Sequence, residues 1–361
     1  MLKKAIFFLF VAAPILSGIL VSITIYGVMN LPYEGKDVYF KVENGSGFGK
    51  VNHQLAQAGL IPSASFFYYY ARYSNQMNKF KSGTFSIKSG MNSFQIFDEL
   101  VNGKPILSTL TITEGKNIYD IAQIISEQYQ IPKEEISFLL KNPRSNQKIS
   151  EILASEFFQQ FRPTSELLSN QFSLEGFLFP DTYLFDPQSN AEIIITTLLK
   201  NFYQKAKDIN WQSHPFLTPY EILTLSSIVE KETGASIERP MIAGVFLNRL
   251  IKKMRLQSDP TTIYGLGELY QGNLKKEHLL QENPYNTYKI PALPIGPICN
   301  PSIQAIKAIF NPSNHQFLYF VSKNDGTHEF TATYQDHLNA VKNFQLNKAN
   351  RLNKSWRNLK Q

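Results

Sequence analysis

Apolar and polar positions change rhythm several times along this chain. Ala5 to Met29 is an uncharged, largely apolar run of 25 residues behind Lys3 and Lys4. A run of that length can cross a bilayer as a helix. It is longer than a signal-peptide core, and Asn30-Leu31-Pro32-Tyr33 is a poor cleavage context. The expectation is an uncleaved single-pass anchor. The two lysines keep the N-terminus in the cytoplasm and put everything after Leu31 outside.

The pattern then shortens. Val38–Val42 alternates like a strand, Gly49–Gly59 and Ser63–Tyr73 read as helices, Gly83–Ile87 as a strand and Ser93–Val101 as a helix. A shorter version follows, with a strand over Thr109–Thr113 and helices over Asn117–Tyr129 and Pro132–Leu140. A strand followed by two helices, used twice, suggests small α/β modules between residues 38 and 142. Residues 143–173 are polar and mostly helical, a connection. From Leu174 to Val341 helices alternate with Pro- and Gly-rich segments and polar motifs become dense, as expected of the working domain. Residues 342–361 form a tail with six basic residues and no acid, read as a solvated helical extension.

At 361 residues with 43% hydrophobic content, the chain can bury a sizeable core. Its net charge of +7 suits a surface working beside anionic lipid or an anionic polymer. Nucleic acid is not expected, because an exported domain does not normally meet it and no basic-aromatic motif appears. The single cysteine, Cys299, rules out an intramolecular disulfide. An exported chain without disulfides is compatible with a bacterial envelope. The six histidines are scattered without metal-ligand spacing, and neither a Gly-x-Ser-x-Gly elbow nor a phosphate loop occurs. The chemistry expected is therefore carboxylate chemistry without metal or cofactor.

One carboxylate stands out. Thr218-Pro219-Tyr220-Glu221 has the form of a helix start, with Thr218 as N-cap, Pro219 in the first turn and Glu221 closing a capping box. Gly234 is the expected stop. At about 100° per residue, Ile222, Leu225, Ile228 and Val229 share a face, and Glu232 falls among them. Glu230 points roughly the other way. A carboxyl on a buried face is costly when charged, so it tends to keep its proton near neutrality, as a general acid must. A buried Glu paired with an Arg is the competing account, and the helix alone does not separate the two.

Downstream, Glu238-Arg239-Pro240 opens a helix to about Lys253 that carries Asn248 and Arg249. Arg255–Gly265, with Gln257, Asp259 and two threonines, concentrates hydrogen-bonding side chains between helices; capping and turn chemistry would account for it equally. Tyr285-Asn286-Thr287-Tyr288 leads into a stiff loop from Ile290 to Pro301, and Asn300-Pro301 reads as the cap of a helix from Ser302 to Phe310. Flat tyrosine faces beside Asn-Thr suit sugar rings, though structural tyrosines are common. Glu175–Tyr183 carries a central turn with apolar flanks, and no catalytic role is assigned to it.

Taken in order, Glu175–Tyr183, Ser227–Thr233, Glu238-Arg239, Phe246–Leu250, Met254–Thr261, Tyr285–Tyr288 and Leu293–Ile298 resemble the MltG/YceG-like family of endolytic murein transglycosylases. Phe177 stands where a larger aromatic is often found, and Ser258 where Thr is common. The resemblance implies an α+β fold: a single transmembrane helix (1–31), LysM-like α/β modules (38–142) and a mixed α+β catalytic domain (174–341). It implies a lyase of the bacterial inner membrane, with its catalytic domain on the outer side. That enzyme would cut the MurNAc–GlcNAc bond within peptidoglycan glycan strands, leave 1,6-anhydroMurNAc ends, and end nascent strands beside synthases such as penicillin-binding proteins. The family's catalytic Glu matches Glu232, with Glu230 as the alternative acid. Gln257, Asp259, Asn286, Thr287 and Tyr288 are the candidates for holding sugar and acetamido groups. A non-catalytic peptidoglycan-binding scaffold and a muramidase acting on the same bond are the alternatives.

Overall fold

The computed structural model describes residues 12–163 and 172–347. Among these the architecture is mixed α+β, with 15 α-helices and three two-stranded sheets. The chain divides into two compact units. One runs through Thr109 and is joined by Leu184–Gln188; the other comprises Leu110–Tyr183 and the chain from Ser189 onward.

The first unit contains α1 (Ala13–Met29), β1 (Val38–Val42), α2 (Phe48–Gln57), α3 (Ala64–Tyr73), β2 (Gly83–Ile87) and α4 (Ser93–Asn102). β1 and β2 pair antiparallel with Phe40 opposite Phe85. Their alternation buries Phe40, Val42, Phe85 and Ile87 and turns Tyr39 outward, as the period of a half-buried strand requires. Ser63 and Asn92 cap α3 and α4, and Asn92 forms a full capping box with Gln95. The core is strongly aromatic: Phe67 and Phe80 meet Phe97 edge-on with ring centroids 5.6 and 5.2 Å apart, the arrangement aromatic quadrupoles favour. Leu184–Gln188 is held to this unit because the Asp186 carboxylate accepts the Thr84 hydroxyl at 2.7 and 2.9 Å.

No helix among the described residues is long and apolar enough to cross a membrane. The start of the expected anchor, with Lys3 and Lys4, lies outside the described residues, as do 164–171 of the expected connection and 348–361 of the basic tail.

After β3 (Ser108–Ile112), the second unit continues with α5 (Ile118–Tyr129), α6 (Lys133–Lys141), α7 (Gln147–Leu153), α8 (Glu156–Gln159), β4 (Asp181–Phe185) and α9 (Ala191–Ala206). There follow α10 (Pro219–Glu232), α11 (Arg239–Ile251), α12 (Asp259–Leu266), α13 (Lys276–Leu280) and α14 (Ile303–Phe310), then the hairpin β5 (Tyr319–Ser322) and β6 (His328–Thr331), and α15 (Tyr334–Val341). β3 pairs with β4. Phe158, Phe161, Phe177, Phe202 and Trp211 form an aromatic core, with Trp211 4.7 Å from Phe161 and its Nε1 donating to the Ala206 carbonyl. Gly176 takes φ +89°, and a Cβ there would lie 2.8 Å from Pro297 Cγ. Only glycine fits both the backbone and that approach.

α10 starts as its sequence predicts, with Thr218 accepting from Glu221 N and Glu221 reaching back to Thr218 N. Three local expectations change. Every residue from Ile222 to Glu230 is buried, because α10 packs against α11, α12 and α14; an apolar stripe describes a surface helix, and this one is central. The helix also stops without a left-handed glycine. Thr233 turns extended at φ −137°, and its hydroxyl accepts from Ala235 N at 2.9 Å. The cap of α14 moves by two residues: Ser302 Oγ accepts from Ala305 N, while Asn300 is committed elsewhere.

Replacing Thr218 by Ala removes the hydroxyl that accepts from Glu221 N and donates to the Glu221 carboxylate, and leaves the backbone half of the box. We expect a loss of about 1 kcal/mol of stability, read as a lower urea midpoint with an unchanged slope.

Candidate active site

Two carboxylates two residues apart near the end of α10 meet opposite fates. Glu230 is buried, and its charge is matched. Arg239 Nη2 donates to Glu230 Oε1 at 2.7 Å, and also to Glu114 Oε2 at 3.1 Å. Ser302 donates to Glu230 Oε2 from its backbone N at 2.9 Å and from its hydroxyl at 2.6 Å. The Arg pairing considered for Glu232 is thus built at Glu230. Periodicity sets Glu230 on the opposite face of a one-sided helix, and the enclosure of α10 on all sides is what buries it.

Glu232 has a different surrounding. Part of its surface stays open to solvent, while the atoms packed around it strip away most of its hydration. That burial pushes its carboxyl up to about 7; the Ser258 hydroxyl opposes the rise, the nearby Asp259 carboxylate adds to it, and the Arg249 cation opposes it more weakly. Ser258 Oγ donates to Glu232 Oε1 at 2.5 Å. A carboxyl that keeps its proton to near neutrality, held by a hydroxyl and reached by solvent, can act as a general acid and then as a base.

Ser258 is placed by the motif before α12. Its backbone N donates to Thr287 Oγ1 at 2.9 Å, and Thr287 Oγ1 lies 2.8 Å from Thr261 Oγ1. Gln257 N donates to the Thr287 carbonyl at 3.2 Å. Gln257 sits at φ +51°, a left-handed conformation uncommon outside glycine and often found beside functional groups. Behind it Arg249 ties the segment down, its Nη1 donating to Leu256 O at 2.7 Å and its Nε to Leu318 O at 2.6 Å.

The five residues proposed to hold sugar separate into two groups. Asn286 and Thr287 are buried and their polar atoms face the protein: Asn286 Nδ2 donates to Gln281 O at 2.7 Å, and its Oδ1 accepts from Thr262 Oγ1 at 3.1 Å. Their geometry is that of a frame. Gln257 and Asp259 are exposed, Tyr288 is half-buried, and Tyr288 OH donates to Asp259 Oδ1 at 2.7 Å. These three present surface to solvent.

Sequence reasoning passed over Ser258, noted only for its difference from Thr. Its signal was its position immediately ahead of Asp259-Pro260, where a residue preceding a helix start can turn its hydroxyl to a neighbour. Glu175, in the segment given no catalytic role, is fully buried, with its carboxyl pushed up to about 8 by that burial. Glu175 accepts from Ile118 N at 3.0 Å and from Asn300 Nδ2 at 3.1 Å, so it fastens the loop before α14 to the start of α5. Ser227 Oγ accepts from Ile298 N at 3.0 Å and pins the same loop to α10. Among the described residues no three His, Cys, Asp or Glu side chains converge where a metal could sit.

The sequence profile of the YceG-like family matches residues 40–343. The chain belongs to the YceG-like family. An endolytic murein transglycosylase of Bacillus subtilis is 30% identical over 315 residues, spanning 85% of this chain and 84% of that protein. One from Streptococcus pneumoniae serotype 2 is 32% identical over 328 residues, 84% of this chain; the chain spans 57% of that longer relative. The crystal structure of a yceG-like protein from Listeria monocytogenes superposes with a TM-score of 0.56 at 31% identity, covering 84% of this chain and 98% of that one.

The two carboxylates give opposite expectations for stability. Glu230→Ala leaves Arg239 short of its buried partner and should cost about 3 kcal/mol in urea unfolding, whereas Glu232→Gln should leave the midpoint unchanged or raise it. The pH dependence has a definite sign. With its folded pKa raised to about 7, Glu232 adds stability that is complete below the unfolded value near 4.3 and lost as pH rises through about 7. The stability difference between the parent and Glu232→Gln should therefore fall across that window.

Proposed function

We propose that this chain is a membrane-anchored endolytic lytic transglycosylase of peptidoglycan, with Glu232 as its acid and base. The observation that carries the reading is the Glu232 carboxyl, protonated near neutrality, open to solvent and held by Ser258 at one oxygen. That bond leaves Oε2 to carry the proton. Oε2–H gives its proton to the glycosidic oxygen as the C1–O bond breaks through an oxocarbenium-like state, and the acetamido group of the substrate stabilises the cation. Glu232, now a carboxylate, takes the proton from the C6 hydroxyl as that oxygen closes on C1. The products are a 1,6-anhydro end and a free 4-hydroxyl; no water is consumed, and Glu232 regains its proton.

In this reading Gln257, Asp259 and Tyr288 line the sugar path, Asn286 and Thr287 hold Ser258 in place, and the strand–helix–helix segments grip glycan as LysM-like modules do. The uncharged run from Ala5 holds the enzyme at the bacterial inner membrane with its working face outside. There it ends nascent strands beside synthases such as penicillin-binding proteins. The endolytic murein transglycosylases it resembles support the substrate and the bond. One observation favours a second reading. Asp259 is exposed and close enough to raise the Glu232 pKa, so a second carboxylate is within electrostatic reach, as a water-using muramidase needs.

Mass spectrometry of fragments released from purified peptidoglycan separates these readings. Anhydro ends from the parent, falling about 10²–10⁴-fold in Glu232→Gln, are expected. Reducing ends lost in Asp259→Asn would mean hydrolysis, and no release from the parent would mean a binding scaffold. Activity should decline as pH rises through about 7, where the acid loses its proton.

A further inference from the structure

α1 enters the first unit with no linker. Its last turn belongs to that unit's core: Met29 is buried, Ile25 packs on the same cluster, and the Tyr26 ring lies 5.7 Å from Phe94. The chain just beyond is fastened as well. Asn92 Nδ2 donates to Asn30 Oδ1 at 3.2 Å, Tyr33 N to Met91 O at 2.8 Å and Gly90 N to Tyr33 O at 2.7 Å. Earlier in the helix Ile15, Leu16, Ile19, Leu20 and Ile23 are all more than half exposed, a density of bare apolar surface that a helix in water does not sustain.

Between α1 and α3 runs a groove of about 950 Å³, walled by Val21, Ile25 and Tyr26 on one side and Tyr69, Arg72 and Tyr73 on the other. Tyr73 is 92% exposed, and Arg72 is exposed beside it.

We propose that this groove seats a phospholipid of the outer leaflet, with its acyl region along Val21–Tyr26 and its phosphate on Arg72. The proposal rests on the anchor reading above. The uncharged run begins at Ala5, and about 20 predominantly apolar residues cross a bilayer core, so the sequence puts the outer boundary near Thr24–Tyr26, where the groove between α1 and α3 lies. Tyrosine rings concentrate at that boundary because one end of each is apolar and the other wet. A guanidinium placed there matches a phosphate in charge and geometry. The site therefore joins an apolar wall to a cationic group, the two features a phospholipid complements. Its effect is to hold the first unit at the bilayer surface at a set angle rather than on a free tether.

The test uses the full chain in nanodiscs of phosphatidylglycerol and phosphatidylethanolamine. An environment-sensitive fluorophore is placed at Tyr73→Cys, Leu20→Cys or Ile237→Cys in turn; Cys299 is fully buried and out of reach of the label. The position-73 label should emit to the blue of the position-237 label and lose most of its intensity to lipids carrying a nitroxide at the headgroup. Arg72→Glu should abolish most of that quenching. A water-like label at position 73 with an apolar one at position 20 would overturn the groove while leaving the anchor standing. Water-like labels at both positions would remove the anchor and the proposal together. A blue shift that ignores the nitroxide lipid and grows with protein concentration would overturn it in favour of a second copy of the chain.

Discussion

The rest of the second unit depends on the enclosure of α10. Packing a helix on all sides removes water from whatever polar groups it carries, and this helix carries two carboxyls within its last turn. For Glu230 the enclosure is answered by Arg239 and the two donors of Ser302, which make it a structural strut. For Glu232 a single hydroxyl is supplied, and the lost hydration is answered by keeping the proton instead. Two residues of the same type thereby become a structural tie and a candidate acid.

Holding that acid in place requires a rigid neighbour, and the polar motifs converge on providing one. Thr287 joins the backbone of Ser258 to the start of α12, while Arg249 fixes the preceding chain by hydrogen bonds to carbonyls. The hydroxyls of Thr261 and Thr287 and the Arg249 guanidinium bond within the protein, as burial in a low-dielectric surrounding demands. Glu175 and Ser227 extend the same logic to the proline-rich loop, fastening it to α5 and α10. The exposed Gln257 and Asp259, with Tyr288, are left as the surface that another molecule can meet.

The first unit is built on a different principle. Its stability comes from aromatic packing between short helices and one antiparallel pair, and the inserted Leu184–Gln188 is held by a carboxylate–hydroxyl contact. Because α1 ends inside this core, the apolar helix and the folded unit behave as a single body at their junction.

Much of this was legible in the residues. The strands Val38–Val42 and Gly83–Ile87 follow from alternation, and the start of α10 from Thr218, Pro219 and Glu221, because these signals act between neighbours a few positions apart. The blocks around Glu232 likewise carry the family in their order and spacing. β4, the β5–β6 hairpin and the cap at Ser302 were missed; they depend on which distant segments arrive, as with Asn300, whose apparent capping role yields to Glu175. The roles of Glu230 and Glu232 could not be divided by periodicity, which treats a helix as having one wet side. By itself the sequence determined the local elements, an uncharged run long enough to span a bilayer and the acid worth testing. Only the tertiary structure decided which carboxyl meets an arginine and which meets a serine, because those partners lie 9 and 26 residues away and are selected by packing.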